Sequence, residues 1–206
     1  SRIGKCLGKD FAPFLPLVMP PLLEAAAQAI SSTITEAQAT ELSEGGQDEE
    51  GTLCFCVQTE EGDTFIAVRT AAIDDKITAC QMLASFAEDL KDVFFPYVEP
   101  VMAILAPMVA REEQGAGGAG GPGPLVSGAA MHDDLRSAAI AAMPSLMVAA
   151  TRHLTRQADQ ATAQKAITDM LQFVLARLMA ALRTEEELEL VMTAAQAIQQ
   201  TVEAAS

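Results

Sequence analysis

The sequence predicts an all-α fold, an α-α superhelix (solenoid) of stacked helix pairs with a small β-hairpin insertion. Three observations predict it. Half of the chain is hydrophobic, yet there is no tryptophan and only one tyrosine, and alanine, leucine, methionine, glutamate and glutamine favour helix over strand. Apolar residues recur at helical spacing along most of the chain. A helix–loop–helix pattern occurs in two aligned copies, with a further helical pair behind them.

Taken in order, the first helix is predicted over Phe11 to Ala29, with Phe14, Val18 and Leu22 on one face. Pro13 and Pro16 suit its first turn, and Pro20 and Pro21 must bend it. An acidic insertion, 31–70, follows. Inside it, Thr52 to Gln58 and Thr64 to Val68 flank a glycine-containing turn, which reads as a β-hairpin. The second helix is predicted over Asp74 to Lys91 with the stripe Ile77, Cys80, Leu83, Ala87 and Leu90, and Asp74 and Asp75 favour its N-terminal dipole.

The third helix, Val93 to Arg111, contains Pro96, Pro100 and Pro107. The Gly/Pro loop over 112–130 contains GAGGAGGPGP, which cannot bury enough surface to offset its ordering entropy and is expected to be disordered. The fourth helix is predicted over Asp133 to His153. The fifth covers Ala161 to Arg183, with the stripe Ile167, Met170, Val174, Leu178, Met179 and Leu182. The sixth opens on a capping box, Thr184 to Glu187, and buries Leu188, Val191, Ala195, Ile198 and Val202. Met143, Met147, Met170 and Met179 read as repeat core.

Lys76-x-x-Ala79-x-x-x-Leu83 recurs as Arg136-x-x-Ala139-x-x-x-Met143, with Asp75 and Asp134 just before. In the preceding helices Phe14 to Met19 aligns with Tyr97 to Met102. The unit is therefore helix, loop, helix, of the HEAT type, each hairpin covered by its neighbours. The implied organisation is a partial repeat whose first helix is 1–30 and whose second is 71–91, the insertion 31–70 between them, a repeat over 92–154 containing the loop, and a repeat over 155–206. Ser1 stands in place of methionine, with Cys6, Leu7 and Phe11 close behind. Such a start reads as a cut from a longer polypeptide or as a processed N-terminus.

A net charge of −15 repels phosphate backbones and anionic membrane surfaces and attracts basic proteins. Nucleic acid and membrane are therefore not expected partners, and no apolar run of about eighteen residues is free of charge or proline. The four cysteines, Cys6, Cys54, Cys56 and Cys80, lack zinc spacing and read as reduced thiols. His132 reads as a cap or a solvent-facing residue. His153 lies with Arg152 and Arg156 near a helix C-terminus, where cations are favourable. No nucleophile–base pair, phosphate loop or calcium loop is present in the sequence, so no catalytic residue, metal or cofactor is expected and the protein is not read as an enzyme.

The residues FLPLVMPPL, RTAAIDDKITACQMLASFAEDLKD, FFPYVEPVMAILAPM and AAMPSL together resemble the importin-β (karyopherin-β) superfamily, in the pattern of its importin-5 branch, over about Lys5 to Val148. TACQML at Thr78 to Leu83 and the acidic, hairpin-containing insert are the most specific parts. The loop Gly115 to Pro124 departs from the short turn of the family.

The resemblance implies a segment from the later HEAT repeats of a nuclear import receptor shuttling between cytoplasm and nucleus. Such receptors hold basic cargo on the concave face of second helices and touch phenylalanine-glycine nucleoporins on the convex face. Ran-GTP releases the cargo, mainly through repeats outside this segment. It points to Asp75, Glu88 and Asp89 as inner-face cargo residues, and to Asp48, Glu49, Glu50, Glu60, Glu61 and Asp63 as an acidic tether. The alternative is a HEAT scaffold subunit of another complex.

Overall fold

The computed structural model describes residues 2–28, 31–34, 52–59, 62–110, 132–157 and 159–205. Its helices are α1 (Arg2–Leu7), α2 (Leu15–Ala27), α3 (Thr70–Leu90), α4 (Val98–Val109), α5 (Asp133–Gln157), α6 (Gln160–Thr184) and α7 (Leu188–Ala205). α3, α5 and α7 stack side by side in one layer, and α2, α4 and α6 form the other. This is an all-α HEAT-type solenoid. The central helix α5 is packed by α3 on one side and α7 on the other, and it buries Leu135, Ala139, Ile140, Met143, Leu146 and Met147. Small residues at the contacts let the helices approach closely. Ala79, Ala87, Ala142, Ala149, Ala194 and Ala197 are all buried.

Two corners of the solenoid share one backbone design. Gly8 at φ +51° and Lys91 at φ +52° end α1 and α3 in the left-handed conformation. A 3₁₀ helix follows each, Gly8–Phe14 and Lys91–Tyr97, with Pro13 and Pro96 inside. The N–H of Leu15 then donates to the Ala12 carbonyl, and that of Val98 to the Phe95 carbonyl. Phe11 and Phe94 occupy the same place in each corner and are both buried. The two proline-rich helices predicted as continuous from Phe11 and Val93 are thus each a 3₁₀ segment leading into an α-helix. Pro13 and Pro96 lie in the 3₁₀ segments and Pro16 and Pro100 in the first turns of α2 and α4, where intrahelical donors are dispensable, whereas Pro20, Pro21 and Pro107 stand inside the helices and each remove a donor there.

Between α2 and α3 the described residues form three antiparallel strands, β1 (Ser31–Ile34), β2 (Thr52–Thr59) and β3 (Gly62–Arg69), in the order β1-β3-β2. Phe55 faces Ile66 and Gln58 faces Asp63 in register, and α3 begins at Thr70 directly after β3. Asp74 and Asp75 consequently lie in the second turn of α3, not at its first-turn dipole. The sequence pattern had no signal for β1, whose Ser-Ser-Thr-Ile takes its place from pairing with β3. The Gly/Pro loop 112–130 lies outside the described residues.

Other expectations are corrected. On α2 the buried residues are Leu15, Met19 and Ala26, and Phe14 is 50% exposed. The capping box at Thr184 does not form, because α6 runs through Thr184, whose hydroxyl donates to the Ala180 carbonyl at 3.1 Å. On α7 the buried face is Leu190, Ala194, Ala197 and Thr201, rotated from the predicted stripe, and Leu188 is 69% exposed. Met179 faces outward rather than joining the core, unlike Met143 and Met147. α6 also has a cap that hydrophobic pattern did not reveal, with Asp159 accepting the Thr162 N–H at 3.0 Å. The stretch Ala72–Val109 is on average long and apolar enough to cross a membrane, although charges and prolines run through it. The left-handed turn at Lys91 divides that stretch into α3 and α4.

Since no atom lies within 4 Å of a Cβ placed on Gly8, Gly8→Ala tests backbone strain alone and should cost about 1 kcal/mol in urea unfolding. Lys91→Gly relieves the same strain and should not destabilise. Equal stability of Gly8→Ala and wild type would refute a strained corner.

Candidate functional site

The groups that could bind a partner are presented by helices whose ends are fixed by buried cations. Lys76, near the start of α3, is 4% exposed and its Nζ donates to the Gln28 carbonyl just past α2 at 2.8 Å. A lysine can reach that far into a helix hairpin because its long stem packs while its ammonium finds an orphan carbonyl. Burial lowers its pKa from the usual lysine value, opposed by the neighbouring Cys80, and burial raises the Cys80 thiol to about 11. Cys80 is therefore an un-ionised core thiol, whereas Cys6 is exposed.

Arg136, at the aligned position of α5, is fully buried and pairs with Glu185, the residue that ends α6 and whose side chain is 2% exposed. Asp133 lies 3.7 Å from the same guanidinium. Both repeat-aligned bases thus begin a stacked helix and grip the end of a first-layer helix. The sequence repeat locates these positions but carries no mark of their burial.

The opposite edge carries another charged group. Asp92, next to Lys91, accepts from Arg156 Nη1 at 2.5 Å and lies 3.7 Å from Lys9 Nζ. Although partial burial works against it, the charges of Arg156 and Lys9 hold the Asp92 carboxyl below the ordinary aspartate range. His153, on the last turns of α5, lies flat on Phe95 with ring centroids 3.9 Å apart and an interplanar angle of 5°. It is a stacking residue. The carbonyl of His132 accepts the Arg136 N–H at 3.1 Å, which makes His132 the cap of α5.

Of the predicted inner-face carboxylates, Asp75 and Glu88 are exposed on α3 and Asp89 is partly buried. The rise of an α-helix, about 1.5 Å per residue, places Asp75 roughly 20 Å from the other two. They are therefore not one cluster. Asp63 stands in β3, while Asp48, Glu49, Glu50, Glu60 and Glu61 lie outside the described residues. Further carboxylates lie outside the predicted cargo set: Asp74, Asp134 and Glu189 are exposed near the starts of α3, α5 and α7. The aligned position two residues before Lys76 and Arg136 was the available signal for the first two. Among the described residues there is no group of three or more histidine, cysteine, aspartate or glutamate side chains that could hold a metal.

No protein-family model matches the chain. Importin subunit beta-3 of Saccharomyces cerevisiae is 35% identical over 106 residues, 52% of this chain and 9% of that protein. A probable importin-5 homolog of Dictyostelium discoideum is 28% identical over 99 residues, 48% of this chain and 7% of that protein. Over about half its length the chain is therefore similar in sequence to these two importins. Its fold agrees along its whole length with a crystal structure of Kap121p, with a TM-score of 0.69 and 25% identity over 100% of this chain and 17% of that one. The structure of Kap121p bound to RanGTP matches with a TM-score of 0.68 and 25% identity over 98% of this chain. The chain thus spans under a tenth of these karyopherin-β relatives known from sequence.

Because Glu185 is the buried carboxylate at a fully buried guanidinium, with the more exposed Asp133 3.7 Å away as a further partner, Glu185→Ala should cost about 3 kcal/mol in urea unfolding by weakening the compensation of that charge. The double variant Arg136→Met/Glu185→Leu should recover most of that loss. A Glu185→Ala protein as stable as wild type would show that the pair does not anchor α6 to α5.

Proposed function

We propose that this chain is a segment of a nuclear import receptor that binds cargo proteins noncovalently and is regulated by Ran-GTP. The observation that carries the reading is the 35% identity to importin subunit beta-3, supported by the whole-chain fold match to Kap121p. Crystal structures of Kap121p bound to Nup53p, Ste12p, Pho4p and RanGTP share the fold. In this reading the helical pairs are HEAT repeats: 1–30 with 71–91, then 92–154, then 155–206, and 31–70 is an insertion carrying the β-hairpin. The solenoid performs no chemistry and travels between cytoplasm and nucleus.

Cargo is a basic protein segment held on the α3–α5–α7 layer. Asp75, Glu88 and Asp89 contribute from α3, and Asp48, Glu49, Glu50, Glu60, Glu61 and Asp63 act as a tether that raises the encounter rate. The −15 net charge supports this electrostatics. Phenylalanine-glycine nucleoporins engage the α2–α4–α6 layer.

Titration of the full-length protein with Ran-GTP, with Ran-GDP as control, should give tight binding selective for the GTP form. Binding to neither form would leave a HEAT scaffold as the better reading. A lysine-rich peptide should bind Asp75→Lys/Glu88→Lys/Asp89→Lys roughly tenfold more weakly than wild type at low salt. Unchanged affinity would remove α3 from the cargo surface.

A further inference from the structure

Lys9, Asp92 and Arg156 occupy equivalent places in the solenoid although they are far apart in sequence. Lys9 directly follows the left-handed Gly8, Asp92 directly follows the left-handed Lys91, and Arg156 is in the last turn of α5. One carboxylate therefore touches a cation from the corner before it and a cation from the helix end after it. The Phe95–His153 stack ties the same 3₁₀ segment to the same end of α5. We propose that Lys9–Asp92–Arg156 is an ion-sensitive brace that sets the angle between successive helix pairs along this edge of the solenoid.

Exposed ion pairs contribute little to global stability, typically about 0–1 kcal/mol. A solenoid, however, has contacts only between neighbouring repeats, so its curvature is a soft coordinate. A contribution too small to matter for unfolding is enough to bias the joint angle. The geometry at Asp92 favours such a bias. Its side chain is only 20% exposed and is shared between two cations, and the short contact to Arg156 is held beside a flat ring stack. Lys9 is 71% exposed and Arg156 is 56% exposed, so salt can reach the pairs. The screening length falls from about 30 Å at 0.01 M to about 3 Å at 1 M salt. The stack is insensitive to salt and keeps the joint from opening completely. The brace stands independently of the transport reading, because it concerns joint angle and no partner.

Hydrogen exchange and small-angle scattering on the full chain test it, with wild type and Asp92→Asn each measured at about 0.02 M and about 1 M sodium chloride. At low salt, Asp92→Asn should exchange the amides of 91–97 about three- to tenfold faster than wild type. Raising the salt should bring wild type to the variant's rate and to the same altered scattering profile, while the variant responds little. The thermal midpoints of the two proteins should stay close. Wild-type exchange and scattering that are indifferent to salt would overturn the brace even if the variant failed to fold. So would a salt response that Asp92→Asn retains in full.

Discussion

A buried cation needs an acceptor, and the protein builds its helix pairs around that requirement. Lys76 and Arg136 sit at matching positions near the starts of α3 and α5, and each is buried almost or entirely. Lys76 satisfies the carbonyl of Gln28 past the end of α2, and Arg136 holds Glu185 at the end of α6. A helix end leaves carbonyls without partners, and the macrodipole places partial negative charge there. A base at that point is therefore stabilised by the geometry that it enforces. The aliphatic surfaces of α3, α5 and α7 could pack in several registers. A buried charge that needs a carboxylate or carbonyl beside it discriminates among them, because registers without such an acceptor leave it under-compensated.

The corners complete this frame. Left-handed residues at Gly8 and Lys91 stop α1 and α3 at equivalent points, and the following 3₁₀ segments deliver Phe11 and Phe94 into the core. Proline is tolerated at these corners because the first turn of a helix has no use for all its amide donors. The outcome is a stacked layer whose helix starts carry carboxylates at Asp74, Asp75, Asp134 and Glu189, exposed while the adjacent bases are buried. Asp134 and Glu189 lie in first turns, where the dipole favours acidic residues, whereas Asp74 and Asp75 lie one turn further into α3.

Much of the fold was legible in the sequence for a simple reason. Long amphipathic helices repeat their pattern at 3.6 residues, and an aligned pair of patterns implies stacking. The Lys76/Arg136 alignment located the residues on which the packing depends. The candidate surface was less legible. Carboxylates on α3 could be named, but which turn of the helix Asp75 occupies follows from where the helix begins, and Thr70 continues directly from a strand with no cap to announce it. The cap of α6 at Asp159 and the failed box at Thr184 show the same limit. Capping residues are short-range signals, and a helix that gains packing by running one turn further overrides them.

Sequence alone determined that this chain is helical, that its helices come in pairs, and that aligned bases precede aligned alanines in two of them. These follow from periodicity and composition, which act over a few residues. Tertiary structure decided which face of each helix is inside. On α7 it chose Leu190, Ala194, Ala197 and Thr201 over a stripe of larger apolar residues, because the close approach of α5 and α6 admits small side chains there. It also decided that Asp92 meets Lys9 and Arg156, since residues so distant in the chain are brought together only when successive corners stack along one edge.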